Sequence, residues 1–154
     1  PDTMSLTGNV LNFKKELDVE SDNIFVDKVG VGKGAYDRLA EQLREIVGIN
    51  AGEEPSEKMR FANKRAEMYW RGREWIVQGG KLQKDEDWYQ LANIKYKTDS
   101  SGRLKIMSKE EMLRNGIDSP DFADAFVLTF ATSDRIESFQ SPIVFEIPEF
   151  DPYW

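Results

Sequence analysis

The stretch Ile24-Phe25-Val26-Asp27-Lys28-Val29-Gly30-Val31-Gly32-Lys33-Gly34 decides the fold prediction for this chain. Its large apolar residues run up to Asp27 without alternation, which is typical of a strand buried on both faces. A glycine-rich turn follows, and from about residue 35 to 46 the apolar residues recur at helical spacing. Strand, turn and helix form an α/β unit. Ligands of open α/β sheets bind at the carboxyl ends of the strands, so Asp27 is where a working carboxylate is expected.

The composition narrows the chemistry that is available. A chain of 154 residues is long enough for one domain with a hydrophobic core. It contains no Cys and no His, which excludes disulfides, thiolate nucleophiles, Ser-His triads and imidazole metal ligands. A bound metal would therefore be held by carboxylates, which favours magnesium or manganese. No apolar run is long enough to cross a bilayer and no signal peptide is visible, so the cytosol is the expected compartment.

The charge is distributed unevenly along the chain. The first 22 residues carry a net −3 and the last 22 a net −4, which together account for the whole net charge of −7. Bases cluster within the near-neutral middle, where they are either solvated faces or a nucleic-acid surface. The candidates for DNA contact are Lys33, Lys64, Arg65, Lys105 and Lys109.

A second carboxylate group stands at the start of an apolar helix. Ser119 and Pro120 predict its N-cap and first position, and the residues up to Ala131 are apolar enough to be largely buried. Asp121 and Asp124 share one face of this helix. An acid in the first turn, such as Asp121, is stabilising in any helix. Asp124 lies one turn deeper, so its carboxylate needs a cation or hydrogen-bond donors.

The remaining pattern predicts a succession of short elements. They are a helix over 6–18, a short strand within 47–52, a long helix from Pro55 to Gly79-Gly80, a helix-like segment over 88–96, a strand over 103–107, a helix capped by Ser108 and ended by Asn115-Gly116, and a strand-like segment Ile143–Ile147 in an acidic, proline-containing tail.

The glycine stretch does not match a nucleotide-binding fingerprint. A P-loop needs Gly-Lys-Ser/Thr at its end, but Gly34 is followed by Ala35-Tyr36. The dinucleotide fingerprint fails on its third gap. Binding of a nucleotide by this loop remains the weakest of the alternatives. Carboxylates from a strand end and a helix, without His or Cys, instead suit two-metal phosphoryl chemistry.

Several motifs taken together resemble the nuclease domain of tailed-phage terminase large subunits. They are Ile24–Gly34 with Asp37-Arg38-Leu39, then Phe61-Ala62-Asn63-Lys64-Arg65-Ala66-Glu67-Met68-Tyr69-Trp70, then Ser108-Lys109 with Ser119–Ala125, and the resemblance covers roughly residues 6–132. It implies an α/β, ribonuclease H-like fold with a mixed sheet flanked by helices. It also implies an endonuclease that uses two magnesium or manganese ions to cut concatemeric viral DNA at packaging.

The same resemblance implies roles and partners. Asp27 would bind metal at the end of a central strand, and Asp121 and Asp124 would occupy the carboxylate positions of the final helix. The partners would be double-stranded DNA, other terminase subunits, the packaging ATPase domain and the portal. The protein would work in the cytoplasm of a host cell, as a phage or prophage protein with no membrane role.

Two departures from the family shape the expected organisation. The family fold opens with three antiparallel strands, whereas this sequence starts on the helix before the fourth and contains no P-loop of a packaging ATPase. We therefore predict a partial nuclease domain over 1–132 and an acidic tail over 133–154. The alternative function is a non-catalytic piece that docks on DNA or the packaging motor. The edge left open beside Ile24–Asp27 would be covered by Ile143–Ile147 or by a second copy of the chain.

Overall fold

Helices and short strands make up residues 2–132, which are the part of the chain that the computed structural model describes. In chain order they are α1 (Thr3–Glu16), β1 (Phe25–Asp27), α2 (Val31–Gln42), β2 (Val47–Ile49), α3 (Lys64–Val77), α4 (Tyr89–Asn93), β3 (Tyr96–Thr98), β4 (Leu104–Ile106), α5 (Lys109–Arg114) and α6 (Asp121–Leu128), with short 3₁₀ turns at Ser21–Asn23 and Glu86–Trp88. The predicted mixed α/β class is confirmed. The tail and its predicted strand Ile143–Ile147 lie outside the described residues.

The first α/β unit forms as predicted, with a shifted helix start. β1 and β2 pair in parallel, with Asp27 opposite Ile49, and α2 connects them. α2 begins at Val31, so Gly32 lies inside the helix rather than in the predicted turn. The turn itself is made at Gly30, whose φ of 62° and ψ of −129° are accessible almost only to glycine. β1 is half-buried and not buried on both faces as predicted. Within residues 2–132 it pairs with β2 alone, so its other edge has no strand beside it.

Gly32 is required by a close approach of backbone to backbone. A Cβ atom built there would lie 2.1 Å from the carbonyl oxygen of Asp27. The helix can therefore start directly beneath the end of β1. α1, which runs from Thr3 rather than from residue 6 as predicted, packs on α2 at Gly34, where a Cβ atom would come within 3.3 Å of the Thr3 methyl group.

The long helix predicted from Pro55 is wrong in its first third. Residues 55–63 form turns and α3 begins only at Lys64, because the side chain of Asn63 caps it by accepting from the Ala66 amide at 2.9 Å. The turns bury Phe61 completely. The neighbouring Ala62 amide donates to the Leu104 carbonyl at 2.9 Å, which ties this segment to β4.

The second sheet is an antiparallel hairpin. β3 and β4 pair with Lys97 opposite Lys105, and the turn at 99–102 was predicted. The helix-like segment predicted over 88–96 is helical only to Asn93, after which the chain extends into β3. The predicted Ser108 cap is confirmed: its hydroxyl oxygen accepts from the Glu111 amide while Glu111 accepts from the Ser108 amide.

The core lies where α3 and α6 face the two small sheets. Its buried apolar residues are Ile49, Phe61, Ala66, Met68, Tyr69, Ile106, Met112, Ala123, Val127 and Ala131. α6 contributes only Ala123 and Val127 as buried residues, so the prediction of a largely buried helix is too strong. Ser119 does not cap it, because Pro120 occupies the cap position and the Ser119 hydroxyl donates to the Asp121 side chain instead. Within residues 2–132 no helix has the length and apolar character to cross a membrane.

Candidate active site

Asp124 stands at the centre of a charged cluster between α3, α5 and α6. Its Oδ1 accepts from the Tyr69 hydroxyl at 2.7 Å and from the Arg65 Nη2 at 3.1 Å. Its Oδ2 lies 3.2 Å from the Lys109 ammonium. The donors that the sequence demanded for this carboxylate are therefore supplied by two cations and a phenol. The side chain of Asp124 is still 23% exposed, so the cluster opens to solvent.

Tyr69 serves as a neutral donor in this cluster. Burial, and then the adjacent charge of Asp124, raise the pKa of Tyr69 far above its ordinary value of 10. The hydroxyl consequently keeps its proton. Arg65 is fixed in turn, because its Nη1 donates to the Met107 carbonyl at 2.9 Å and its guanidinium stacks on the Tyr69 ring at 4.9 Å. Tyr69 and Arg65 thus hold one oxygen of Asp124 in place.

Lys109 is the most exposed member of the cluster. Its side chain is 59% exposed, against 14% for Arg65. It is the first residue of α5, directly after the Ser108 cap. A cation approaching Asp124 from solvent would meet Lys109 first and would displace it at low cost, because exposed ion pairs of lysine contribute little stability.

Asp121 and Asp27 have separate surroundings. Asp121 is exposed, and its carboxylate accepts from the Ser119 hydroxyl. Asp27 ends β1 as predicted, is exposed, and accepts from the Val29 amide at 2.9 Å through Oδ1. α6 packs beside β1, which brings the elements carrying Asp27 and Asp124 together. Direct convergence of their carboxylates stays a prediction.

The donor types around this edge fit a hard divalent cation. Carboxylate oxygens are the ligands that magnesium and manganese prefer, and Oδ2 of Asp27 has no partner within residues 2–132. In number the donors fall short. Within the same residues no three acidic side chains gather closely enough to hold a metal ion. A site here would have to rest on Asp27 and Asp124 with further oxygens from water or from the nucleic acid.

The candidate DNA-binding bases differ in how far they are available. Lys33 is exposed and paired with Asp37 at 2.9 Å, and Lys105 is exposed on the hairpin. Lys64 is instead 13% exposed and lies 2.8 Å from the fully buried Glu67. Lys64 and Arg65 are therefore both engaged in ion pairs within the protein.

Sequence reasoning missed Tyr69 and Glu67 as charged-cluster residues. The signal for Tyr69 is its spacing, since it follows Arg65 by four residues and both therefore lie on one face of α3. Glu67 binds Lys64 and, at 2.7 Å, Arg71 on its own helix. The signal for Glu67 was its position between two bases at helical spacing.

Solved structures of phage terminase nuclease domains share the fold of this chain. A variant nuclease domain of the large terminase subunit of bacterial virus Sf6, solved with manganese, matches 77% of this chain and 68% of its own length at 23% identity and a TM-score of 0.59. The same domain solved with calcium matches at 23% identity, and the unmodified domain at 22%, both with a TM-score of 0.59 and 67% of their length covered. The ribonuclease H-like fold of these domains, implied by the resemblance, is confirmed.

No protein-family model and no curated protein sequence matches this chain.

Proposed function

We propose that this chain is part of the nuclease domain of a phage or prophage DNA-packaging terminase. In this proposal it cuts concatemeric double-stranded DNA with magnesium or manganese. The observation that carries the proposal is Asp124, a carboxylate held by Tyr69, Arg65 and Lys109 on the helix that packs beside the strand ending in Asp27. The shared fold with terminase nuclease domains solved with manganese or calcium supports it.

In this proposal Asp27 and Asp124 hold the divalent ions, and Asp121 is an outer contributor. Two such ions, when bound, activate water and stabilise the leaving oxygen of the phosphodiester. Tyr69 and Arg65 keep Asp124 oriented, while Lys109 releases Oδ2 and becomes available to a phosphate of the DNA. Arg65 keeps its place, since it also binds the Met107 carbonyl.

DNA binding in this proposal rests on the exposed bases Lys33, Lys105 and Lys109. Phosphate contacts by such residues make affinity fall steeply with salt. Lys64, with its charge turned to Glu67, contributes least. The double variant Lys105→Glu and Lys109→Glu is expected to weaken binding of a DNA duplex at least tenfold, with a reduced salt slope. Lys64→Gln serves as the interior control, and equal affinity in all three proteins would remove the assignment.

The test of metal use is titration of the full chain with manganese. Asp27→Asn and Asp124→Asn are each expected to weaken manganese binding at least tenfold, because each removes a charged ligand. Asp37→Asn, an exposed acid paired with Lys33, is the matched control. Plasmid cleavage is followed in parallel. Unchanged binding in both site variants would end the two-metal proposal.

A non-catalytic role is the second candidate, and one observation favours it. Both oxygens of Asp124 already face cations, and no three acids gather within residues 2–132. In that case the chain would dock on DNA or on the packaging ATPase and portal, in the host cytoplasm. DNA binding that needs no divalent ion, together with no cleavage in manganese, would identify it.

A further inference from the structure

An apolar groove lies along α3. It encloses about 170 Å³ between α3, α4, β3 and α6. Its walls include Trp70, Phe126 and Tyr96, and its rim carries Ile76 and Val77. Val77 is 69% exposed and Tyr96 57%, so the apolar surface continues out of the groove. Exposed apolar side chains around such a groove make it a candidate binding site.

The shape and charge of the groove define what it would accept. An apolar cavity of about 150 Å³ takes up a benzene-sized group, so this one has room for a single aromatic ring. Its lining contains one formal charge, Arg73, which is exposed and stacks on the Trp70 ring at 5.1 Å. Within residues 2–132 Arg73 makes no ion pair. The fitting occupant therefore presents an aromatic ring next to a carboxylate.

The chain itself supplies such a segment shortly after α6. Phe130 packs on the Trp75 ring, with 5.9 Å between the ring centroids. The last described residues therefore lie close to the α3–α6 surface that borders the groove. Residues 133–154 contain five acids and one base, and the sequence Ile143-Val144-Phe145-Glu146-Ile147 joins an aromatic residue to an acid. The 12 residues between Thr132 and Phe145 span up to about 40 Å when extended, which exceeds the width of a small domain.

We propose that the segment 143–147 of the same chain docks in this groove rather than along the edge of β1, with Phe145 in the cavity and Glu146 at Arg73. Docking there removes the apolar rim from water, which the groove cannot achieve with residues 2–132 alone. It also packs against Tyr69, whose ring lines the groove while its hydroxyl holds Asp124. The inference does not depend on the nuclease proposal, because it concerns the resting chain.

The absence of cysteine makes a spin-label experiment unambiguous. A nitroxide on Val77→Cys in the full chain is expected to broaden the amide resonances of residues 143–147. The control label goes on Leu17→Cys, which is 66% exposed at the C-cap of α1. Broadening by the Val77 label alone supports the proposal. Equal effects of both labels, or none, overturn it.

Two substitutions separate the proposed contacts from general proximity. Phe145→Ala and Arg73→Glu should each abolish the broadening by the Val77 label, whereas Phe139→Ala and Arg44→Glu should leave it in place. Retained broadening in the first pair overturns the assignment. Spin-labelled chain is also mixed with isotope-labelled chain that carries no nitroxide. Broadening in that mixture would mean that a second copy fills the groove, which equally overturns docking within one chain.

Discussion

Asp124 is a charged side chain that depends on partners distant in sequence. Replacing it with Asn keeps the shape but leaves Arg65 and Lys109 facing a neutral amide. We expect Asp124→Asn to lower the free energy of unfolding by about 1–3 kcal/mol in metal-free buffer, the usual cost of losing hydrogen bonds to charged groups. Urea unfolding measures the change.

Asp121→Asn is the matched control, one turn earlier on the same helix. Its side chain is exposed and bound only to the Ser119 hydroxyl among the described residues, so its unfolding free energy should change by less than about 0.5 kcal/mol. An equal loss in both variants would mean that general helix-terminus electrostatics, rather than the cluster, stabilises the Asp124 charge.

Gly32 is a second residue whose role can be isolated. Gly32→Ala places a methyl group against the Asp27 carbonyl oxygen, a contact of 2.1 Å that backbone must relieve. We expect a loss of at least about 2 kcal/mol in unfolding free energy, since steric strain belongs to the strongly destabilising mechanisms. Gly8→Ala in α1 meets nothing within 4 Å and should stabilise by about 0.5–1 kcal/mol. Opposite signs in urea unfolding check the assignment.

The sequence shows which single residues require a charged or hydrogen-bonding partner better than it shows which residues supply that partner. That Asp124 requires a cation or donors follows from an acid among apolar neighbours. Which groups satisfy it does not follow, because Arg65 lies 59 positions away and Tyr69 55 positions away. Such pairs are decided by how α3 and α6 cross. The position of Asp27 at the end of a strand could be predicted, because the strand and the glycine turn after it are adjacent in the sequence.

Elements are positioned by single polar side chains at their boundaries. Asn63 starts α3 later than the apolar pattern predicted, because its side chain supplies the cap that a helix from Pro55 would bury within its interior. The Ser108 cap was predictable, since Ser and Glu stand at capping-box spacing. Ser119 is also a serine before a helix, but it does not cap α6, because its hydroxyl donates to the side chain of Asp121 instead.

Glu67 joins the turns of 55–63 to α3. Burial alone would raise the pKa of Glu67, but Lys64, the Ser56 amide and Arg71 outweigh burial and lower the pKa below its ordinary 4.5. A lowered folded-state pKa contributes stability above the unfolded value, and this stability is lost as the pH falls through the folded value. We therefore expect the wild type to lose stability below about pH 4.5 through this group.

Glu67→Gln tests this contribution. The variant should be less stable than the wild type at pH 7 and should show a smaller further loss between pH 7 and about pH 3.5. Glu54→Gln, which removes an exposed pair with Lys58, is the control and should follow the wild-type profile closely. Parallel profiles of wild type and Glu67→Gln in urea midpoints would contradict the role of Glu67.

Across residues 2–132 the contacts fall into two groups in sequence. α1, α2, β1 and β2 contact one another within the first 49 residues, whereas α3 contacts β4 and α6, and α4 contacts α6. α6 against β1, Ile49 in the common core and the bonds from Lys64 to Glu53 and from Arg65 to Ala51 join the groups. The candidate carboxylates lie on opposite sides of this join, Asp27 in the first group and Asp124 in the second.

A join of this kind predicts that the protein opens in two cooperative steps. Amides of α1 and α2 should exchange with deuterium through an opening of lower free energy than those of α3 and α6. An ion bound by both Asp27 and Asp124 is lost when the join opens, so magnesium should slow exchange in the first group by the factor that mass action sets. In Asp27→Asn the exchange rates should not respond to magnesium. The divalent ion would then act as a latch between two folding units as well as a reagent.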